Sequence, residues 1–480
     1  MENHKLKILI AAAEVTPIAK VGGLGDVIGA LPKALKKLNL DARVIIPFYG
    51  AIDKNKYKIE LTGKNIKVGD DSIDLWQTTL PDSAVPVYLI EHGLFNGREI
   101  YSNALADDAS DINKYLFFSN AILAGLKAIN FRPDVVHLND WHTAAAAGLL
   151  KTDYQNDQYF KQIKTLYTIH NLANQGPAGQ NNYMAEGILN ADLVNTVSPA
   201  YAEEILTKEY GAGLEKILAK RKKRLYGILN GIDTDFFNPE TDQFIKQNYS
   251  GKTLEKKIVN KTALQGRLGL PPDKDIALVG LVTRFVWQKG VELITKKFAK
   301  LNCQFAFLGT GEKSCEQALL KLAHKYPAKF KVLIKFDERL AHEIYAGSDI
   351  FLVPSRFEPC GLTQMIAMRY GSIPVVRATG GLKDTVISWS DSLLINLSAS
   401  GEGARRVKAT GLTFENFNSD EFYKTLETAL EIYYHQPKVW RQLQLNGLKQ
   451  DFSWKKSAKE YLKLYKKLLS KTRRRTPKTN

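Results

Sequence analysis

The sequence predicts an α/β protein built of two doubly wound, Rossmann-like domains. Three observations lead there. Short apolar runs alternate with helical patterns along most of the chain, glycine-rich turns join several of these runs to the helices that follow, and the alternation pauses once, through the polar stretch 238–261, before it resumes. Strand–helix–strand repetition calls for right-handed crossovers and a mainly parallel sheet covered by helices. The repetition occurs twice, with a hinge-like gap near residues 235–260, and 480 residues leave each half long enough for a core of its own. Two such sheets facing each other would gather their strand C-termini around one cleft, where folds of this class bind ligands.

In the first half, strands are expected at 6–13, 43–47, 87–90, 134–139, 165–170 and 193–197, with helices at 25–38, 111–129 and 141–150. The opening run starts with Lys5 and Lys7 and continues as six apolar residues, Ile8 to Ala13. Six is short of the roughly 7–15 that a signal-peptide core needs, so a buried first strand is the better reading. In the second half, strands are expected at 276–283, 304–308, 331–334, 350–354 and 373–376, and helices at 291–300, 313–326, 339–346 and 362–370. Three further helical patterns, 421–434, 439–449 and 454–469, close the chain.

Composition narrows the function classes. With 44% hydrophobic and 10% aromatic residues the chain is an ordinary globular protein, not a disordered one. Cys303, Cys315 and Cys360 are too few, and odd in number, for a disulfide framework, which points to a reducing, cytoplasmic setting. No apolar run approaches the roughly 18 residues of a membrane helix. The formal charge of +17 suggests nucleic acid or an anionic membrane, but its distribution argues otherwise. Residues 455–480 hold eleven Lys and Arg against Glu460 alone, and a second cluster covers Lys220 to Arg224. Trp454, Ala458, Tyr461, Leu464, Tyr465 and Leu468 recur at helical spacing, so the basic residues between them read as the wet face of an amphipathic helix, followed by a solubilising tail. Neither a specific nucleic acid nor a membrane is expected as a partner.

Several motifs can carry chemistry. Lys20-Val21-Gly22-Gly23-Leu24-Gly25-Asp26 joins the first strand to a helix, where glycines allow close backbone approach and the helix start favours an anion. It is neither a Walker loop nor a dinucleotide fingerprint, so a phosphate cradle and a tight turn both stay open. Asp140-Trp141-His142 and His170-Asn171 each follow a strand. A lone histidine is more often structural, but two such sites opening toward one cleft favour function. Arg284 and Lys289 sit five apart where a strand ends and a helix is expected, which suits a diphosphate, against a plain solvated loop. Leu308-Gly309-Thr310-Gly311-Glu312 and Gly380-Gly381-Leu382-Lys383-Asp384 are further glycine-rich turns. The most unusual stretch is Pro354-Ser355-Arg356-Phe357-Glu358-Pro359-Cys360-Gly361-Leu362-Thr363-Gln364, which sets a carboxylate on a proline-stiffened loop. Cys360 alone would read as a small buried hydrophobe. Asp233-Thr234-Asp235 has the spacing some transferases use for a metal, but it lies in a turn, and no metal site is expected.

Together these segments resemble the bacterial glycogen synthase and plant starch synthase family. The resemblance runs in order through the Lys20 loop, Pro133–137, Asp140-Trp141-His142, His170-Asn171-Leu172-Ala173, Thr196-Val197-Ser198-Pro199 and Asn230-Gly231-Ile232-Asp233. It continues through Gln288-Lys289-Gly290, the 354–364 stretch, Thr379 to Val386, and Asp451-Phe452-Ser453-Trp454. The 354–364 match is the specific one. The resemblance implies the GT-B architecture, with the last helix returning to the first domain, and transfer of glucose from ADP-glucose to the non-reducing end of an α-1,4-glucan or maltooligosaccharide. Configuration is retained, with no cofactor and no metal. The domains implied are 1–240 on the acceptor side, 241–450 on the donor side, a helix at 451–470 and a basic tail at 471–480. UDP-glucose, another acceptor, or a catalytically impaired glucan-binding protein are the alternatives.

By position, the resemblance implies that Arg284 and Lys289 grip the diphosphate, and that Glu358 and His170 hold the transferred glucose. Asp140 lies near the acceptor. Lys20, Gly22, Gly23, Asn230, Gly309, Phe336, Cys360, Gly361 and Thr363 bind the donor, with Phe336 beside the adenine. Two departures stand out. The segment 174–190 looks shorter than is usual, and Asn174 and Ala185 stand where the family commonly has Tyr and Lys.

Overall fold

A computed structural model describes residues 5–101, 109–176, 181–390 and 408–473. The last residues of the expected basic tail, 474–480, and residues 177–180 of the shortened segment lie outside them. The chain divides into two compact units, 1–231 with 454–480, and 232–453.

In the first unit the strands are β1 (Lys7–Ala11), β2 (Asp41–Pro47), β3 (Glu60–Val68), β4 (Asp71–Thr79), β5 (Pro86–Glu91), β6 (Val135–Asn139), β7 (Lys164–Ile169), β8 (Leu193–Thr196) and β9 (Leu225–Gly227). They form one sheet in the order β3-β4-β5-β2-β1-β6-β7-β8-β9. All neighbours are parallel except the hairpin β3–β4 and its junction with β5. From Ile8 to Ala13 every residue is fully buried, as expected for a central parallel strand covered on both faces. The covering helices are α1 (Gly23–Lys37), α2 (Ala109–Ala128), α3 (Ala145–Leu149), α4 (Tyr183–Asn190), α5 (Pro199–Glu204) and α6 (Glu215–Arg221). The sequence reading missed the hairpin, because β3 is mostly exposed and lacks a continuous apolar run. Its partner strand does alternate, with Ile73 and Leu75 turned inward. The helix expected at 141–150 is a 3₁₀ turn, Trp141–Thr143, leading into the short α3.

The second unit carries α7 (Lys257–Leu268), β10 (Ala277–Val282), β11 (Cys303–Gly309), α8 (Lys313–Lys325), β12 (Phe330–Ile334), α9 (Glu338–Gly347), β13 (Ile350–Val353), α10 (Thr363–Arg369), β14 (Ile373–Arg377), α11 (Gly380–Thr385), β15 (Leu412–Phe414), α12 (Ser419–His435) and α13 (Pro437–Leu448). Its sheet is parallel throughout, in the order β12-β11-β10-β13-β14-β15.

Two expectations are corrected here. The hinge-like stretch at 235–260 is not a loose linker. Asp242 Oδ2 bonds His342 Nδ1 at 2.7 Å and accepts from the Tyr370 hydroxyl at 2.5 Å, and the Tyr249 hydroxyl donates to Tyr370 O at 2.8 Å. Next along the chain, Lys261 is buried against Asp349 at 2.8 Å. These buried polar bonds tie the segment into the second unit. The chain instead passes between units at Gly231–Ile232 and Ser453–Trp454, where Ile232 N donates to Phe452 O at 2.8 Å. The helix expected at 291–300 is two 3₁₀ turns, Val291–Leu293 and Lys296–Lys300, parted by the extended Ile294 and Thr295. β-Branched residues favour that extended backbone, and the Ser419 hydroxyl takes the Leu293 carbonyl at 2.7 Å.

The C-terminal helix, α14 (Trp454–Arg473), packs on α1 and β7 of the first unit. Its apolar stripe is buried, and two of its tyrosines reach the sheet's polar core. The Tyr465 hydroxyl bonds His137 Nδ1 at 2.9 Å, and Asn195 Nδ2 donates to the Tyr461 hydroxyl at 3.1 Å. Among the described residues, no helix is long and apolar enough to cross a membrane.

Candidate active site

Parallel strands end with their carboxyl termini at one edge of the sheet, and residues just beyond them are free to serve a ligand. In the first unit, Glu14 follows β1, Asp140 follows β6 and His170 follows β7, three neighbouring strands. Asn139 fixes the arrangement. Its Nδ2 donates to Ala11 O at 3.0 Å, and its Oδ1 lies 2.9 Å from His170 Nε2. With the Asn139 oxygen facing the ring, Nε2 carries the hydrogen and Nδ1 keeps the lone pair. Asp140 has φ +55°, and its Oδ1 accepts from the His170 amide at 2.7 Å. Burial lifts the Asp140 carboxyl to about 7, against the amides of His170 and Asn171 that favour its charged form. Burial likewise pushes the His170 ring down to about 3, so it is neutral at pH 7.

The glycine loop holds a residue that the sequence reading missed. Glu14 is buried, and its Oε2 accepts from Val21 N at 2.6 Å and Gly22 N at 2.7 Å, while its Oε1 accepts from the Tyr101 hydroxyl at 2.5 Å. A charged residue directly after a fully apolar strand was the available signal. Lys20 Nζ lies 2.6 Å from Asp26 Oδ1. The glycines divide into two kinds. A Cβ on Gly29 would fall 2.6 Å from Thr16 O, whereas one on Gly23 would meet no atom of the described residues within 4 Å. Packing therefore requires the first, and only a ligand would require the second. A cavity of about 460 Å³ lies beside this loop, lined by Lys20, Val21, Tyr49, Arg98 and Tyr101 among others. Asn230 is buried near the end of the unit's first segment. The departures noted above are visible: Ala185 is buried in α4, its amide capped by Asn182 Oδ1 at 2.9 Å, and Asn174 is exposed.

In the second unit, Arg284 follows β10, Gly309 ends β11, Phe336 follows β12 and Glu358 follows β13. Lys289 Nζ reaches Glu358 Oε2 at 2.5 Å, and the Ser355 hydroxyl donates to the same oxygen at 2.9 Å. The Glu358 side chain is 8% exposed, so this ion pair is shielded from water. The sequence reading placed Arg284 and Lys289 at a helix start. The structure shows a 3₁₀ turn, Trp287–Lys289, ended by Gly290 at φ +67°. A Cβ there would fall 2.0 Å from Pro354 O, so Gly290 lets the lysine turn lie directly on the glutamate loop. Arg284 is exposed. Gly309 is required by packing, since a Cβ would lie 1.8 Å from Thr283 O. Cys360 is buried, and its carbonyl would stand 2.1 Å from a Cβ on Gly381. Gly361, at φ +72°, precedes α10, which Thr363 begins. Phe336 is 87% exposed. Asp233 spends its carboxylate on the amides of Asp235 and Phe236, and no cluster of three metal-binding side chains occurs among the described residues.

The family model for the starch synthase catalytic domain matches residues 7–220, and that for glycosyl transferases group 1 matches residues 261–439. Glycogen synthase of Thermotoga maritima is 41% identical over 505 aligned residues, covering 98% of this chain and all of that protein. The chain belongs to the glycogen and starch synthase family. It is a glucosyltransferase of that family, acting on a nucleotide-sugar donor and a glucan acceptor. Glycogen synthase of Clostridium beijerinckii is 42% identical, covering 96% of this chain and 99% of its own. Among solved structures, the catalytic domain of starch synthase IV from Arabidopsis thaliana, bound to ADP and acarbose, superposes with a TM-score of 0.85 at 33% identity, over 97% of this chain and all of that one. Sucrose-phosphate synthase from Thermosynechococcus elongatus, at 19% identity and a TM-score of 0.63, shares the fold. The architecture is therefore GT-B, two Rossmann-like domains with parallel sheets, as the sequence led one to expect.

Proposed function

We propose that this glucosyltransferase uses ADP-glucose, and that it extends the non-reducing end of an α-1,4-glucan with retained configuration. The observation that carries this reading is the shielded Lys289–Glu358 pair at 2.5 Å, on the same sheet edge as the exposed Arg284. The starch synthase neighbour bound to ADP supports the choice of base. Arg284 neutralises the diphosphate as it departs, and Lys289 acts between that charge and Glu358. Fixed cations matched to developing negative charge lower the barrier without a metal. Glu358 and His170 position the glucose, and Phe336 stacks on the adenine. Lys20, Gly22 and the open space at Gly23 admit the phosphates. Asn230, Gly309, Cys360, Gly361 and Thr363 shape the donor site, and Asp140 sits by the acceptor.

In this reading the acceptor 4-hydroxyl attacks the anomeric carbon on the face the phosphate leaves. The C–O bond to phosphate breaks, the new glycosidic bond forms, and the phosphate takes the hydroxyl proton. The 354–364 stretch supplies no second carboxylate to serve Glu358 as an acid–base partner, which favours this course over a glucosyl-enzyme. We place the protein in the cytoplasm because its three cysteines are too few, and odd in number, for a disulfide framework. Incubation with glycogen and either ADP-glucose or UDP-glucose, measuring released nucleotide, tests the donor. ADP release well above UDP release is expected, and the reverse order would overturn the assignment.

A further inference from the structure

We propose that Trp287 and Phe357 form a stacking platform for the acceptor glucan, a subsite that holds a glucosyl unit next to Glu358. The proposal rests on the glucan-synthase reading above. Trp287 is 53% exposed, a large apolar surface left in water beside the chemistry. Its ring lies 5.9 Å from that of Phe357 at 63°, and the Arg356 guanidinium stands 4.8 Å over it and 3.9 Å over Phe417. Arg356 is in turn paired with Glu292 at 2.9 Å, so its charge is locally balanced. The result is an angled aromatic step, Trp287 meeting Phe357 edge to face, with the balanced Arg356–Glu292 pair at its rim. A pyranose offers the complement, an apolar C–H face ringed by hydroxyls.

Main-chain bonds fix the platform's position. Trp287 N donates to Glu312 Oε1 at 3.3 Å, Arg356 N donates to Gln288 O at 2.8 Å, and Gln288 Nε2 donates to Phe357 O at 3.3 Å. The turn that carries Lys289 and the loop that carries Glu358 are thus stapled together, and both platform rings ride on the staple. Sheet order separates the acceptor from the donor base. Phe336 follows β12 and Phe357 follows β13, and β11 and β10 lie between these strands. At about 4.8 Å per strand that is roughly 14 Å. A donor whose base rests on Phe336 ends with its glucose at Glu358, so the next sugar beyond it belongs to the acceptor.

The test is Trp287→Ala in the full chain, with maltoheptaose as acceptor. A lost stacking contact of this kind corresponds to a KM for maltoheptaose raised about tenfold. The KM for ADP-glucose should stay within about twofold, and Trp287→Phe should recover much of the loss. Calorimetric titration with maltoheptaose, without donor, should show the same weakening at an unchanged unfolding midpoint. An unchanged maltoheptaose KM and affinity, or a rise confined to ADP-glucose, would overturn the platform. If the wild type transfers no glucose yet loses maltoheptaose binding on Trp287→Ala, the platform stands and the synthase reading fails.

Discussion

Glu358 is the residue on which the chemistry turns, because its carboxylate is shielded and held by Lys289 and Ser355. Glu358→Gln keeps the shape and removes the charge. It should leave donor affinity near that of the wild type and lower kcat by about 10²–10³, the cost of losing one preorganised electrostatic partner. Steady-state kinetics with a donor-binding titration would separate the two. A glucosyl adduct on Glu358, seen by mass spectrometry, would replace front-face transfer with a covalent intermediate. Asp140 offers a pH test. Its folded-state value of about 7 lies above the ordinary carboxylate value, so between about pH 4 and pH 7 the native state holds a proton that the unfolded state has lost. The stability from that proton is present at low pH and disappears as pH rises through 7. Asp140→Asn accepts the same amide bonds without the charge. Its unfolding midpoint relative to wild type should therefore rise between pH 5 and pH 8, and a constant difference would count against the buried acid.

At the scale of elements, two glycines with opposite roles make the site's construction testable. Gly290 is left-handed and pressed against Pro354 O, so Gly290→Ala must push the lysine turn off the glutamate loop. It should lower kcat at least tenfold. Gly23 meets no described protein atom, so Gly23→Ala should leave the unfolding midpoint unchanged and raise the KM for the donor. Equal effects of the two substitutions on stability would contradict this division. The sequence made most of these elements legible, since parallel strands buried on both faces are short apolar runs bounded by turns. It misled where tertiary bonds overruled local pattern: Lys296–Lys300 has helical spacing, yet Ser419 captures Leu293 O and the helix breaks into 3₁₀ turns. It was also silent where contact alone assigns a role. Glu14 looks like one acid after a strand until Val21, Gly22 and Tyr101 close around it. Lys289 is one of two spaced cations in the sequence, and only the folded chain shows Glu358 2.5 Å from it.

For the whole molecule, the charge of +17 says least about function. Much of it lies along α14 and beyond, a helix whose apolar face serves the first unit's core. The glucan acceptor is neutral, and the charges that matter to the chemistry are few and placed. The twofold repetition of strand and helix was legible because each unit is built on a mainly parallel sheet. The division at Gly231 and Ser453 was not, because Asp242, Tyr249 and Lys261 bury polar atoms in the second unit while looking like linker residues in sequence. The central claim is glucosyl transfer from ADP-glucose to an α-1,4-glucan. Its most direct test is to incubate the full chain with ADP-[14C]glucose and maltoheptaose and to digest the product with an α-1,4-specific exo-glucosidase acting from the non-reducing end. Maltooctaose whose label is released in the first cleavage is the expected result. Label that stays in free glucose, or enters a product resistant to that enzyme, would contradict it.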